Sequence, residues 1–218
     1  MKYHPPKHIS LDILYQDKHL LIVNKPSGLL SVPGRGEEKQ DCLITRIQKE
    51  YPSALIVHRL DMSTSGVMVI ALGKEMERDL SIMFQKRKVS KKYIAVVEGK
   101  VKEKYGEIDL PLITDWPNRP KQKVDFKDGK SSQTQYIVTS YNSSNDSSRV
   151  ELTPITGRTH QLRIHLKSIN HAILGDELYA SNSVINKSKR LLLHASNLSF
   201  QHPCDESKKI EIISLPIF

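Results

Sequence analysis

The sequence predicts an α+β protein, a mixed and mainly antiparallel β-sheet with a few flanking helices. Three observations predict it. Short apolar runs of strand length recur along the whole chain, as at 55–57, 67–72, 93–97, 149–152 and 210–213. Helical periodicity is confined to a few stretches. Strands and helices do not alternate regularly, as a βαβ architecture requires, and the chain is not built of strands alone.

In chain order, residues 1–10 are polar with two prolines and read as a loose arm. Leu11–Asn24 holds two apolar runs around Gln16-Asp17-Lys18 and reads as a hairpin. Lys25-Pro26-Ser27-Gly28 is a turn, and 31–40 is a glycine- and charge-rich loop. Asp41 stands where an N-cap belongs, ahead of Leu43, Ile44 and Ile47 on one face of a helix that ends near Tyr51-Pro52. Met76, Leu80, Met83 and Phe84 give Lys74–Lys88 one apolar side, and its basic end suits a helix C-terminus. Tyr93–Val97 is a strand and Val101–Glu107 a charged turn, while 109–130 is irregular around Trp116. Gln133–Thr139 and Arg149–Leu152 are strands joined by an Asn/Ser-rich loop. Gln161–Lys167 is a helix, and 191–193, 198–200 and 210–213 are closing strands. No repeat or linker interrupts residues 11–218, which read as a single domain.

Composition narrows the function. At 218 residues the chain is long enough for one sizeable core. Lys+Arg number 33 against 24 Asp+Glu, a net charge of +9 that favours polyanions, nucleic acid first. Cys42 and Cys204 stand far apart with no CxxC, which fits a reducing cytoplasm. No apolar run approaches the ~18–20 residues that span a bilayer, and MKYHPPKHIS has no signal-peptide core, so no membrane role is expected. A phosphate-binding GxxxxGK[ST], a GxGxxG after a strand and an HExxH are all absent.

Between the apolar runs 55–57 and 67–72 lies a polar stretch, His58-Arg59-Leu60-Asp61-Met62-Ser63-Thr64-Ser65-Gly66. It holds the one acid between Glu50 and Glu75. A lone carboxylate on a loop joining two buried strands is placed for chemistry, because a rigid scaffold presents it to substrate. From spacing alone, the plainer reading is that Asp61 caps a turn and pairs with Arg59.

The stretch resembles the HRLD-x-x-TSG signature of the RluA-type pseudouridine synthases. NKPSGLLSVPGR (24–35), KKY (91–93), DWPNRPKQK (115–123), PITGRTHQLRIH (154–165), GD-x-x-Y (175–179) and LLLHA (191–195) resemble further segments, in the family's order. The first and fourth are most similar to the RluA branch, which acts on uridines of 23S ribosomal RNA and transfer RNA. The resemblance implies one mixed-sheet catalytic domain with a cleft across it and no separate N-terminal RNA-binding domain. It implies an isomerase that needs no cofactor and no metal, with Asp61 as catalytic carboxylate, Arg163 as its guanidinium partner, Tyr93 as the active-site tyrosine, and Leu192 and Leu193 closing the pocket. Taken alone, a strand tyrosine such as Tyr93 is a core residue.

The chemistry agrees with a single acid. Uracil leaves C1′ through N1, turns, and rejoins through C5; nothing is oxidised or reduced. Glycosidases need two carboxylates because water must be activated, but here the base itself re-adds. Asp61 either attacks C1′ covalently or stabilises an oxocarbenium-like state while H2′ is removed to give a glycal, and the sequence leaves both routes open. A uridine in folded RNA must be everted, and Arg59, two residues from Asp61, is the candidate to fill the gap. Trp116, Arg119, Lys121 and Lys123 pair an aromatic with cations, which suits single-stranded RNA, with a core-packing Trp116 as the alternative. Arg158, by a helix N-terminus, meets phosphate or solvent. His160 and His165 are core or RNA-facing. The expected partner is an RNA stem-loop, the expected state a cytoplasmic monomer. Two other readings stand beside this one: a non-catalytic basic RNA-binding or assembly protein, and a metal-dependent nuclease, which the lack of clustered acids disfavours.

Overall fold

The computed structural model describes residues 3–218. The elements run β1 (Ile13–Gln16), β2 (Leu20–Lys25), α1 (Leu43–Gln48), β3 (Ala54–Ile56), β4 (Ser65–Leu72), α2 (Lys74–Gln85), β5 (Ser90–Glu98), β6 (Tyr105–Asp109), β7 (Leu112–Thr114), β8 (Gln122–Val124), β9 (Gln133–Asn142), β10 (Ser147–Pro154), α3 (Gln161–Ser168), α4 (Asn182–Ile185), β11 (Leu193–His202) and β12 (Asp205–Ile213). Short 3-10 turns lie at Glu37–Lys39 and Trp116–Asn118. Eight strand pairings are antiparallel and that of β4 with β11 is parallel, so the fold is mixed α+β as the apolar runs predict. The chain divides into two compact units, residues up to Lys91 with His194–Ile217, and Lys92–Leu193 with Phe218.

In the first unit β2 and β4 pair from Leu20↔Ala71 to Lys25↔Gly66. Leu20 to Val23 and Val67 to Ala71 are all buried, on both faces of the sheet. That is why the sequence shows continuous apolar runs here instead of alternation. Met76 and Leu80 of α2 join Leu20, Ile22, Val67, Val69, Phe200 and Ile210 in one core cluster. The parallel β4–β11 contact, His194↔Ser65 and Ala195↔Gly66, is very close. A Cβ on Gly66, at φ +119°, would stand 2.2 Å from the Ala195 carbonyl oxygen, so only glycine fits.

Two local expectations change. Cys42, not Asp41, caps α1, sharing a capping box with Thr45; Asp41 instead accepts two 2.7 Å hydrogen bonds from Arg46. In the arm expected to be loose, Tyr3 is buried and anchored while residues 7–10 are exposed, and Met1 and Lys2 lie outside the described residues. The Tyr3 hydroxyl donates to the Asp41 carbonyl at 2.8 Å and accepts the Leu30 N–H at 3.1 Å.

The second unit carries the order β5-β10-β9-β6. Ala95, Val97, Val150 and Leu152 meet Leu162 and Leu166 of α3 in its core. The charged turn expected over Val101–Glu107 is replaced from Tyr105 by strand β6. Ile108 is buried while Tyr105 and Glu107 are exposed, so a polar edge strand hides its single anchoring side chain in a charged sequence. The irregular segment expected over 109–130 contains the short β7–β8 hairpin, with Trp116 at its tip. The closing runs at 191–193 and 198–200 are not two strands, since β11 passes unbroken from Leu193 to His202. No helix among the described residues is long and apolar enough to cross a membrane.

Candidate active site

The loop holding Asp61 is fixed from its own unit by the turn 25–31. The buried Lys25 ammonium donates to the carbonyl oxygens of Leu29 (2.6 Å), Pro26 (3.0 Å) and Met62 (3.1 Å). The Gly28 N–H reaches the same Met62 carbonyl at 2.8 Å, and Gly28 adopts φ +84°, which glycine supplies without strain. Ser27 donates to the Ser63 carbonyl at 2.7 Å. Ser31 donates to the Leu60 carbonyl at 2.7 Å and accepts the Leu60 N–H at 3.2 Å. The backbone on both sides of Asp61 is therefore held, which suits a group that must keep one geometry.

The strand ends flanking this loop are fixed as well. His58 stacks on Phe84 at 4.5 Å, and its Nε2 accepts the Val69 N–H at 3.1 Å. Burial pushes its imidazole down to about 3, with repulsion from Lys91 adding to the shift, so the ring is neutral. Ser65 shares a 2.8 Å hydrogen bond with His194 Nδ1, whose Nε2 lies 3.0 Å from the Ser214 carbonyl oxygen. Since a carbonyl only accepts, His194 donates from Nε2 to Ser214. Asp61 itself is half-buried and Arg59 is exposed.

In the second unit α3 is pinned by its polar side chains. Buried Gln161 donates to the Gln133 carbonyl (2.9 Å) and to Thr134 Oγ1 (3.0 Å) and accepts from Thr156 (2.8 Å) and the Arg158 N–H (3.0 Å). His165, fully buried, spans Thr134 Oγ1 at 2.9 Å and the Leu110 carbonyl at 3.1 Å. Desolvation lowers its pKa. Both candidate histidines of this motif are thus structural in placement, His165 in the core and His160 at the N-cap of α3 with φ +54°.

Arg163 is buried with Asp176. Its Nε donates to Oδ2 at 2.9 Å and Nη2 to Oδ1 at 2.6 Å, a two-pronged pair with 4% and 1% of the side chains exposed. Asp176 Oδ1 also accepts the N–H groups of Leu178 (3.0 Å) and Tyr179 (3.2 Å). The Tyr179 ring lies 5.1 Å from the Arg163 guanidinium carbon. Asp176 and Tyr179 are neighbours of Arg163 to which the sequence assigned no role; their signal was the GD-x-x-Y spacing. The 2.6 Å pair orients Arg163 by using one edge of its fork, so Nη1 points along a direction the pair sets.

Tyr93 pairs with Leu152 across β5 and β10 and packs half-buried against the same core cluster as Leu192 and Leu193. Tyr93, expected as the active-site tyrosine, and the expected pocket residues Leu192 and Leu193 thus belong to one packed cluster. Leu192 is tied by its N–H to the Leu174 carbonyl (3.0 Å) and by its carbonyl to the Val96 N–H (3.1 Å). Trp116 is 64% exposed, which removes the core-packing alternative, and the Arg119 guanidinium stacks on it at 4.5 Å. Lys121 is half-buried, and Lys123 pairs with Asp125 at 3.2 Å. Arg158 is exposed, and its Nε donates to the Ser131 carbonyl at 3.3 Å.

Comparison with known proteins agrees with this arrangement. The profile of a family described as RNA pseudouridylate synthase matches residues 19–168, a span that runs through both units. The dual-specificity RNA pseudouridine synthase RluA of Escherichia coli (strain K12) is 55% identical over 201 residues, 92% of this chain and 91% of that protein. Its counterpart in Vibrio parahaemolyticus is 53% identical over 206 residues, 93% of this chain and 82% of that protein. Among solved structures, human RNA pseudouridylate synthase domain containing 1 superposes with TM-score 0.81 at 28% identity, covering 98% of this chain and 86% of the other. Human RNA pseudouridylate synthase domain containing 4 gives 0.73 at 28% identity, covering 94% and 88%. With the clamped HRLD loop and the anchored arginine helix in place, the chain belongs to the RNA pseudouridylate synthase family and is an isomerase that converts uridine in RNA to pseudouridine.

Proposed function

We propose that Asp61 is the carboxylate that acts at the ribose C1′ of the target uridine, and that the substrates are loop uridines of 23S ribosomal RNA, transfer RNA or both. The observation that carries the first part is the clamp on its loop: four side-chain or backbone donors from residues 25–31 hold the carbonyls of Leu60, Met62 and Ser63. So many bonds on either side of one half-buried acid support a preorganised reagent. The second part is supported by the dual specificity in the names of the bacterial relatives.

In this reading Asp61 assists departure of uracil by attack at C1′ or by stabilising the cation-like sugar. The N1–C1′ bond breaks, the base turns, C5 bonds to C1′, and the C5 proton leaves as N1 gains one. Tyr93 stacks on the uracil, and its hydroxyl serves the proton transfer. Arg163 is the guanidinium partner that orients the carboxylate. Leu192 and Leu193 exclude water, which would otherwise trap the sugar. Arg59 fills the space of the everted nucleotide, and Trp116, Arg119, Lys121, Lys123 and Arg158 hold the strand by stacking and charge. The protein acts as a monomer in the cytoplasm.

The test is Asp61→Asn with unmodified ribosomal and transfer RNA transcripts, mapping pseudouridine chemically and measuring RNA binding in parallel. Product is lost while binding stays within about threefold of wild type. Full activity in Asp61→Asn or Asp61→Ala would end the assignment of Asp61.

A further inference from the structure

The Tyr179 hydroxyl has two unusual partners. It accepts the backbone N–H of Gln122 at 2.9 Å and shares a 2.6 Å hydrogen bond with His160 Nδ1. Gln122 opens β8, directly after the turn that carries Trp116, Arg119 and Lys121. His160 is the N-cap of α3, three residues before Arg163. The Tyr179 ring lies under the Arg163 guanidinium, and its N–H joins the Asp176 carboxylate that grips the same arginine. One side chain therefore touches the exposed hairpin, the start of the arginine helix and the arginine.

At this end the hairpin is braced on itself. Asp115 N–H meets the Lys121 carbonyl at 3.0 Å, Asn118 N–H the Asp115 carbonyl at 3.0 Å, and Thr114 the Gln122 side chain at 3.2 Å, all within the hairpin itself. Beside the direct packing of β8 on α3, the Gln122–Tyr179 bond ties the hairpin through His160 to the start of that helix. The backbone at His160 is left-handed, a conformation that non-glycine residues hold only when neighbours enforce it. The short bond to Tyr179 is one side-chain contact that helps to enforce it.

We propose that Tyr179 is a positioning residue that couples RNA seated on the Trp116–Arg119 hairpin to the placement of Arg163. RNA bound on the hairpin fixes Gln122, Gln122 fixes the Tyr179 hydroxyl, and Tyr179 with His160 fixes the helix start and the guanidinium. The enzyme thereby reaches its full rate only on RNA that reaches the hairpin. This inference rests on the role given above to Arg163.

The test uses the full chain and unmodified RNA stem-loops, with saturating single-turnover rates and KM measured separately. Tyr179→Phe keeps the ring and removes the hydroxyl, so it lowers the rate about tenfold or more, the scale expected of a misplaced reacting group, with KM little changed. Trp116→Ala lowers the rate as well, and the double variant is no slower than the slower single, because both break one chain of contacts. His160→Ala matches Tyr179→Phe. His160→Asn restores most of the rate, since an amide offers a donor or an acceptor near the Nδ1 position and asparagine tolerates a left-handed backbone. Rates of Tyr179→Phe and Trp116→Ala that multiply in the double variant overturn the coupling, as do equal losses in His160→Asn and His160→Ala. Arg163→Lys separates the two layers. If it is inactive while Tyr179→Phe runs at the wild-type rate, the coupling alone has failed; if it is fully active, the role of Arg163 has failed and the coupling falls with it.

Discussion

The Lys25 ammonium lies 3.1 Å from the carbonyl oxygen of Met62, the residue that follows Asp61. Lys25 is fully buried, and two more carbonyls at 2.6 and 3.0 Å share its charge. A buried cation is tolerated only when so well solvated by the protein. Lys25→Met removes the donor and leaves buried carbonyl oxygens without it, at about 1–3 kcal/mol each. The expected result is a loss of roughly 3 kcal/mol in urea unfolding, with a rate that falls even where the variant is folded. A variant as stable and active as wild type would show that the clamp is dispensable.

Gly66→Ala is expected to prevent normal folding. The new Cβ would meet the Ala195 carbonyl oxygen at 2.2 Å and its amide nitrogen at 2.5 Å, and neither is a flexible side-chain end. Parting β4 from β11 to make room loosens the strand that begins where the Asp61 loop ends. Recovery in the soluble fraction and the far-UV spectrum measure this. A soluble Gly66→Ala protein with the native melting temperature contradicts it.

Trp116 sits 64% exposed on the hairpin, with Arg119 stacked at 4.5 Å. Trp116→Ala therefore changes stability by no more than about 0.5 kcal/mol. RNA affinity drops by about 1–3 kcal/mol, the usual worth of one base–aromatic stack. Arg119→Ala lessens the salt dependence of binding, by about 0.7 in the log–log slope for single-stranded RNA. Fluorescence anisotropy across a salt series reads both effects.

His58 provides a pH prediction. Its ring takes a proton near 6.5 in the unfolded chain but stays neutral to about 3 in the fold, chiefly because it is desolvated against Phe84 and the Val69 amide. Between these values the unfolded chain binds more protons. The group's contribution to stability is therefore complete above pH 6.5 and is lost as pH falls toward 3, by up to about 1.4 kcal/mol per pH unit. Ring nitrogen shifts of labelled histidine should show His58 neutral at pH 5. A midpoint near 6.5 would contradict the burial argument.

Much of the fold is legible because its signals are local. Leu20–Val23 and Val67–Ala71 are buried on both faces and read as continuous apolar strands, and Leu162 and Leu166 set the inner side of α3. Strand β6 escaped because a polar edge strand with one buried side chain, Ile108, has no periodicity to detect. The cap of α1 was misplaced by one residue because Asp41 has the right chemistry for a cap but is drawn away by Arg46 at 2.7 Å.

By itself the sequence singled out the residues proposed to carry chemistry: an isolated acid in HRLDMSTSG, an arginine in TGRTHQLR, and a basic, aromatic stretch around Trp116. Only the tertiary structure decided what holds them. Lys25 meets Met62 across 37 positions, Arg163 meets Asp176 across 13, and Gln122 meets Tyr179 across 57. Periodicity and capping act within a turn or two of chain, whereas a hydrogen bond between distant residues exists only after the intervening loops have closed and water has been excluded from around it.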